Sequence, residues 1–504
     1  MSANEKELRA SQKAERKASA AAEQDKKNRR YRRNAIIIGV ILVILIAFAL
    51  LVNSNYFYTH TTALTVGETK YTPAEVSYFY RSTYNAIYQN LYKSLGDYTN
   101  MVLDTSKSLA EQEYPYGDEA ETWADAVIQS AREDMVRVTS LYDAAQAAGR
   151  NLTAEEQSAI DSEIEQMGQY AASNGYSDTD KFLAAYFGKG MNLATYRRLQ
   201  ERVTLASAFS DELRKNFSYT DEELANYYSE NADSYNVYYY YTFPLNSTDK
   251  AFEELSVEEL PEKMHEAAQK IADATTDFDS LTAAVREYSG ENTVLSIASN
   301  TRENVGPTYQ EWVMDPARQK NDVAVFDTED VSYVVLFVEY CQNDYPTVDF
   351  RHILVNAVPD EDGNYTQEAL DTAKEKAELL LDTWRADPTE DNFAEMARLN
   401  SEDSGSTQNG GLYEGVTKYQ MVPGVNDFLF DGTHDVGDVG IVFGQSSAYT
   451  GYHVMYFAGK ADHNYSVDLA DNDLRTSDYS VLYEAISSNY EIKEGSGLRF
   501  VPAL

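Results

Sequence analysis

Residues 350–355 read FRHILV, a β-prone run that predicts a strand. Downstream, the apolar side chains of residues 366–386 recur every three or four positions and predict a helix with one buried face. That face carries Leu370, Ala373, Ala377, Leu380, Leu381 and Trp384. Residues 392–400 predict a second, shorter helix, and residues 452–458 predict a closing strand. This order indicates a small α+β unit, which we assign to residues 346–461.

The preceding segment, residues 236–345, repeats that order. Residues 237–242 read VYYYYT, an aromatic run that predicts a strand. A helix is predicted at about 257–273 and a final strand at 333–338, with a mixed segment between them. The sequence therefore predicts two successive α+β units.

Residues 53–235 predict a mainly helical region. One apolar stripe with helical spacing consists of Val127, Ile128, Ala131, Met135, Val138, Tyr142 and Ala145. We expect Gly149 to end that helix, because glycine is favoured where a helix stops. Two capping boxes, which begin helices, are formed by Thr153 with Glu156 and by Thr220 with Glu223. Beyond residue 461, the segment 462–504 predicts a terminal helix at 479–490, and packing of this helix against residues 53–235 is one arrangement that the sequence allows.

An N-terminal membrane anchor is predicted at residues 35–52, which read AIIIGVILVILIAFALLV and contain no charge. With a rise of about 1.5 Å per residue, a helix of this length just crosses a bilayer core. Six Lys and Arg residues lie between positions 26 and 33, so the positive-inside rule places the basic tail 1–34 in the cytoplasm and residues 53–504 outside. The alternative is a cleaved signal peptide with a small-x-small site at Ala47-Phe48-Ala49.

The charge of the chain is strongly uneven. The net charge is −40, yet residues 1–34 carry eleven Lys and Arg against five Asp and Glu. The acidic remainder argues against a nucleic-acid partner, because phosphate backbones bind cationic surfaces.

Cys341 is the single cysteine, which excludes an intramolecular disulfide, and we expect it to be a small buried side chain at a strand end.

Six motifs follow one another within residues 346–461. They are FRHILV at 350–355, FAEMA at 393–397, SEDSGS at 401–406, GGL at 410–412, QMVP at 420–423 and TGYHV at 450–454. In this order they resemble the parvulin family of prolyl isomerases, and in particular the extracytoplasmic foldases of the PrsA and SurA type. The match covers the whole of the unit at 346–461.

The resemblance implies a catalytic set made of His352, Asp403 and His453. The two histidines are expected side by side on adjacent central strands, with Asp403 as the third polar group. The implied proline-binding positions are Leu412, Met421, Val425 and Thr450. Val425 departs from the family, which commonly has phenylalanine four residues after the methionine, and this change implies a shallower pocket. The resemblance implies no metal and no cofactor.

Two further segments bear on substrate and on the first unit. The loop 356–362 holds Asp360, Glu361 and Asp362, which would repel a phosphorylated substrate. Unit 236–345 looks like a degenerate copy without isomerase activity, because tyrosines 238–241 stand where we expect the equivalent of His352 and its closing strand lacks the second histidine. Its segment Trp312–Asp315 fits either a peptide-binding surface or a packed core.

The predicted fold class is therefore α+β: a transmembrane helix, a mainly helical region similar to the chaperone lobes of those foldases, two parvulin-like α+β domains and a C-terminal helix. The residues Thr65-Val66-Gly67-Glu68 predict an opening strand and turn in the helical region. The first functional hypothesis is a membrane-anchored prolyl isomerase that acts on unfolded or newly exported polypeptides containing proline. The second is a holdase chaperone that uses the parvulin domain as a binding scaffold, and the third is a structural or adhesive surface protein.

Overall fold

The computed structural model describes residues 3–117, 120–290, 292–361 and 363–502. Asp362 of the predicted acidic loop, and the outermost residues of the predicted tail and C-terminal segment, lie outside the described residues. The described chain forms two compact units. Unit 1 comprises the residues up to Phe217 together with those from Ser477 onward, and unit 2 comprises Ser218–Thr476. The predicted α+β fold class is confirmed, whereas the finer division into domains stays a prediction.

Unit 1 begins with the long helix α1 (Ala3–Asn53), which contains the predicted apolar stretch. Among the described residues, α1 alone is long and apolar enough to cross a membrane, over Ala10–Leu50. Large apolar side chains such as Ile36, Leu42 and Phe48 are exposed on it. The next elements are α2 (Tyr56–His60), β1 (Leu64–Val66), β2 (Thr69–Tyr71), α3 (Pro73–Leu95), α4 (Thr99–Val102), α5 (Trp123–Ala147), α6 (Ala154–Ser173), α7 (Thr179–Phe187) and α8 (Leu193–Lys215).

Unit 1 packs around helix α5. The predicted stripe is buried or partly buried, with Ala131, Met135 and Val138 in the main core cluster. Gly149 follows the end of α5 with a φ of 76°, a left-handed conformation that glycine adopts without strain. The capping box of Thr153 and Glu156 begins α6 as predicted. Local sequence signals therefore set these helix boundaries.

The first sheet of unit 2 follows α9 (Asp221–Glu230), whose capping box of Thr220 and Glu223 is confirmed, and the short α10 (Ala232–Tyr235). Its elements are β3 (Val237–Asn246), α11 (Leu260–Ala274), α12 (Phe278–Ser289), β4 (Ile297–Thr301), α13 (Gln310–Val313), β5 (Val323–Asp327) and β6 (Val331–Cys341). The strand order is β4-β3-β6-β5, and neighbouring strands are antiparallel. Cys341 is buried at the end of β6, as predicted.

The second sheet of unit 2 repeats this plan. Its elements are β7 (Val348–Asn356), α14 (Gln367–Trp384), α15 (Glu390–Asn400), β8 (Leu412–Val416), α16 (Pro423–Phe430), β9 (Val439–Gln445) and β10 (Thr450–Lys460). The strand order is β8-β7-β10-β9, again antiparallel. Both sheets thus have the same sequence of strands and helices and the same strand order, so the first is a topological copy of the second.

Successive side chains on the second sheet point to opposite faces, as in any strand. One face packs against α14 and α15 through residues such as Ile353 and Val454. The other face carries Phe350, Met455 and Phe457, which pack with α16. We call this second surface the histidine face, because His352 and His453 alternate with residues of the α14 face.

The C-terminal helix begins earlier than predicted. Helix α17 spans Tyr465–Ser487, whereas the sequence predicts a helix at 479–490. The polar residues before Tyr479 hid this beginning, because the apolar spacing starts only there. Within unit 1, Tyr483 and Ile486 pack against the main core, and β11 (Ile492–Glu494) pairs with β1. The C-terminal segment therefore packs on the helical region, and the predicted strand and turn at Thr65–Glu68 become the β1–β2 hairpin.

Candidate active site

The two central strands of the second sheet bring His352 and His453 together. His352 lies opposite Met455, and His453 lies opposite Leu354, so the histidines are diagonal neighbours across β7 and β10. Their Nδ1 atoms are 2.8 Å apart, and their rings stack with centroids 5.0 Å apart. Both are buried, with exposures of 6% and 3%. The imidazoles therefore form one contiguous pair with little direct access to solvent.

Asp403 completes the polar set from the loop that follows α15. Its Oδ2 accepts hydrogen bonds from His352 Nε2 at 2.9 Å, from the Ser406 hydroxyl at 2.5 Å and from the Tyr413 hydroxyl at 2.9 Å. The Gly405 N–H donates to Oδ1 at 3.0 Å. This convergence of donors stabilises the charged carboxylate, and the hydrogen bond from His352 is the main cause that holds the pKa of Asp403 below its ordinary value.

Two tyrosines that the sequence reasoning missed extend this network. Tyr413 stacks on Phe350 with ring centroids 5.3 Å apart and presents its ring edge-on to His352 at 5.5 Å. The Tyr449 hydroxyl lies 3.0 Å from His453 Nε2. The residues thus form a chain from Tyr449 through both imidazoles to Asp403. Alternation along β8 and β10, combined with the strand pairing, is the signal that would have found them.

Burial determines the charge of His453. Loss of solvation, with a smaller contribution from the neighbouring His352, lowers its pKa from 6.5 to about 3. His453 is therefore neutral at ordinary pH and carries its proton on one nitrogen. With His352 Nε2–H donating to Asp403, two proton arrangements satisfy the contacts. In the first, His453 Nδ1–H donates to His352 Nδ1, and His453 Nε2 accepts from the Tyr449 hydroxyl. In the second, His453 Nε2–H donates to the Tyr449 oxygen, and His453 Nδ1 accepts from His352 Nδ1–H. The second arrangement holds one more proton, on His352 Nδ1.

The histidine face also carries the apolar surface that a proline ring requires. Met421 packs at the rim of the cluster formed with α16, and Val425 lies inside that cluster with an exposure of 2%. Val422 and Val442 are partly buried at the same rim. Val425 therefore presents almost no surface, whereas Met421, Val422 and Val442 of the same cluster are only partly buried.

Leu412 and Thr450 do not join this group. Leu412 lies opposite Arg351 on β8, whereas its neighbour Tyr413 lies opposite Phe350 of the histidine face. Thr450 is buried at the start of β10, three residues before His453, so strand alternation puts it on the α14 face. For both positions the predicted contact with proline lacks structural support. Leu412 is one residue from Tyr413 and Thr450 is three residues from His453, and an odd separation along a strand puts two side chains on opposite faces of the sheet.

Two glycines leave space for the pair. Gly411 has a φ of 72°, and its amide oxygen accepts from the His352 N–H at 3.0 Å. A Cβ atom there would lie 2.2 Å from the His352 carbonyl oxygen. At Gly444, on β9, a Cβ atom would lie 2.5 Å from His453 Nε2. Glycine at these positions permits the close approach of the backbone to both histidines.

The corresponding positions of the first sheet hold other residues. In the second sheet His352 pairs with Met455, and in the first sheet the equivalent pair is Thr242 with Val335. Thr242 therefore corresponds to His352, and Tyr333 corresponds to His453. The tyrosines 238–241 that the sequence places there precede this position on β3, since Thr242 follows Tyr241. The equivalent face is filled by aromatic packing around Tyr309, and Val313 of the Trp312–Asp315 segment is buried there. Val313 thus belongs to a packed core, whereas Asp315 at the end of the segment is exposed.

Within the described ranges of the chain, no group of three or more His, Cys, Asp or Glu side chains has an arrangement that would hold a metal ion. The polar atoms of the site are instead bonded to one another.

A protein-family model described as the PPIC-type PPIase domain matches residues 335–460, about a quarter of the chain. The match begins within β6 and covers the second sheet with its helices. The second sheet is therefore a parvulin-type PPIase domain, and the predicted family resemblance is confirmed. No curated protein sequence matches the chain significantly.

Several solved structures are similar to parts of the chain. The foldase protein PrsA of Streptococcus pneumoniae has 13% sequence identity, covers 74% of this chain and 88% of its own, and gives a TM-score of 0.24. The PrsA peptidylprolyl isomerase of Bacillus anthracis has 15% identity, covers 47% and 87%, and gives 0.19. A structure of the SurA-like chaperones PEB4 and Cj1289 of Campylobacter jejuni has 12% identity, covers 68% and 93%, and gives 0.18. At these values the similarities establish neither a shared activity nor a shared arrangement of the units.

Proposed function

We propose that the protein is a membrane-anchored extracytoplasmic foldase that catalyses cis/trans isomerisation of X–Pro bonds in exported polypeptides. The observation that carries this proposal is the stacked pair of His352 and His453, bonded to Asp403, beside an apolar rim in a parvulin-type domain. In this proposal His352, Asp403 and His453 shape the catalytic site, and Met421 contacts the proline ring.

The reaction needs no covalent step. Rotation about an X–Pro bond crosses a barrier of about 20 kcal/mol, and the twisted amide at the transition state has lost its conjugation and charge separation. An apolar surface that excludes water therefore favours the twisted amide over the planar one. The rim of Met421, Val422 and Val442 supplies such a surface, while the buried network keeps its floor rigid.

The substrate class follows from charge. Asp360 and Glu361 are exposed in the loop after β7. Two cations of the domain are paired with carboxylates, Arg351 with Glu390 and Lys376 with Glu402. A phosphate group beside this loop would meet repulsion from its carboxylates. We infer that the substrates are unphosphorylated X–Pro segments.

The location rests on α1. Its exposed apolar side chains would be costly in water and are stable in a lipid core. The cationic flank at residues 26–33 favours an uncleaved anchor with the folded units outside the cytoplasm.

The test is the refolding of a client whose slow phase is limited by an X–Pro bond. The full chain in detergent should accelerate that phase in proportion to its concentration, because isomerisation would no longer be limiting. A slow phase that is unchanged at every concentration contradicts the proposal.

A holdase activity is the second candidate, and one observation in unit 1 favours it. A groove of about 590 Å³ is lined on its apolar side by Ile128, Val136, Tyr483 and Ile492. Such a surface suits transient contact with unfolded chains. Suppression of client aggregation that survives His352→Ala and Asp403→Ala would support the holdase, and its loss in those variants would count against it.

A further inference from the structure

The segment 417–421 joins β8 to α16 and carries Met421, the methionine proposed to contact proline. Residues on both sides of Met421 reach the first sheet of unit 2. Tyr419, before it, and Phe430, at the end of α16, pack against the core cluster of that sheet. The apolar rim of the second sheet is therefore held at two points by the first.

Two tyrosines of that core cluster bind the backbone of this segment directly: Tyr239 on β3, and Tyr345 in the connection between β6 and β7. The Tyr345 hydroxyl accepts the Lys418 N–H at 3.2 Å, and the Tyr239 hydroxyl donates to the Lys418 carbonyl at 3.4 Å. The Tyr239 ring lies 4.4 Å from the Tyr419 ring. Both backbone polar groups of Lys418 are thus satisfied by tyrosines of the core cluster of the first sheet.

The Lys418 side chain adds a third contact. Its Nζ lies 3.2 Å from Glu339 of β6 and 5.0 Å from the centre of the Tyr345 ring. The side chains of Lys418 and Glu339 are only partly exposed, so this pair is less screened by solvent than a surface ion pair.

The segment has a conformation that needs such support. Tyr419 has a φ of 59°, a left-handed conformation that costs free energy for any residue with a Cβ atom. Asn426 of α16 accepts the Tyr419 N–H at 2.6 Å, which ties the strained residue to the helix. Strain of this kind persists only where the surroundings fix it.

We propose that the first sheet, which lacks the histidine pair, acts as a clamp on residues 417–421, and that Tyr239 and Tyr345 are positioning residues for Met421. This inference goes beyond the isomerase activity and rests on it for its kinetic readout. The function of the degenerate copy is then to set the geometry of the apolar rim in the second sheet.

The test compares Tyr239→Ala with Tyr239→Phe in the full chain. Tyr239→Ala should lower kcat/KM for a proline peptide by about tenfold, because small displacements of a binding wall have effects of this size. Tyr239→Phe keeps the ring and should stay within about twofold. Tyr238→Ala is the matched control, since Tyr238 is next along β3 on the opposite face and contacts Tyr340 instead.

A double-mutant cycle with Met421→Ala separates positioning from general destabilisation. If Tyr239 acts through Met421, Tyr239→Ala should cost less than about twofold in the Met421→Ala background. Equal losses in both backgrounds, or an equal loss in Tyr238→Ala, would overturn the inference.

Hydrogen exchange gives a readout that does not depend on activity. Amides of residues 417–421 should exchange faster in Tyr239→Ala and unchanged in Tyr238→Ala. A parent chain without isomerase activity would refute the proposed function alone, whereas unchanged exchange in Tyr239→Ala would refute the clamp.

Discussion

His352 and His453 touch across the sheet as diagonal neighbours, not as direct partners. Each faces an apolar residue in the pairing of β7 with β10, yet their Nδ1 atoms are 2.8 Å apart. Their contact therefore depends on the register of these two strands and on the rotamers that the surrounding side chains impose. Asp403 at one end and Tyr449 at the other fix those rotamers.

Asp403→Asn should destabilise the parvulin-type domain by about 2 kcal/mol. The change removes the charge that accepts bonds from His352, Ser406 and Tyr413. The measurement is the free energy of opening from hydrogen exchange in peptides of residues 346–461. The matched control is Asp391→Asn on the exposed side of α15, which should change that free energy by less than about 0.5 kcal/mol. Equal effects would show that the network adds no stability.

Acid should destabilise the domain through His453. Its folded pKa of about 3 lies below the ordinary 6.5, so the unfolded chain binds a proton first. The stability is complete above pH 6.5 and is lost as the pH falls towards 3. The free energy of opening, followed between pH 7 and pH 4, should fall more steeply in the parent than in His453→Asn. An identical slope in the two proteins would contradict a buried neutral imidazole.

Tyr413, and not Leu412, should affect catalysis. Tyr413→Ala removes the ring beside His352 and the hydroxyl bonded to Asp403, so kcat/KM should fall by about tenfold. Leu412→Ala should change it by less than about threefold, because Leu412 lies on the other face of β8. The measurement is the isomerisation rate of the same proline peptide with both variants. The reverse order would restore the assignment predicted from the sequence.

That difference shows how far sequence reasoning reaches. The helix caps at Thr153 and Thr220 and the strand at FRHILV follow from local pattern. The pairing of the two histidines follows from the family resemblance that the ordered motifs carry. The faces of Leu412 and Thr450 do not, since a side chain's face depends on the register with a partner strand distant in sequence. The equivalence of Thr242 with His352 does not follow from local pattern for a related reason: it depends on the register between β3 and β6, which lie far apart in sequence.

Gly444→Ala should disrupt the site from outside the network. Its Cβ would lie 2.5 Å from His453 Nε2, so the imidazole must move and lose its bond with Tyr449. We expect kcat/KM to fall by about tenfold, with a loss of about 1–3 kcal/mol in stability. Gly459→Ala is the control on β10, where the new Cβ meets Asp349 at an ordinary 3.7 Å. Unchanged activity in Gly444→Ala would show that the position of His453 is irrelevant to the reaction.

The most direct measurement is the cis/trans exchange rate of an Ala-Pro peptide, followed by NMR with a small amount of the full chain in detergent. Exchange spectroscopy observes the isomerisation itself and needs no coupling protease. We expect the parent and Asp391→Asn to accelerate exchange well above the uncatalysed rate, which corresponds to tens of seconds or longer. Asp403→Asn should accelerate it much less. An exchange rate equal to that of the peptide alone, in the presence of folded parent chain, would contradict the proposed isomerase activity.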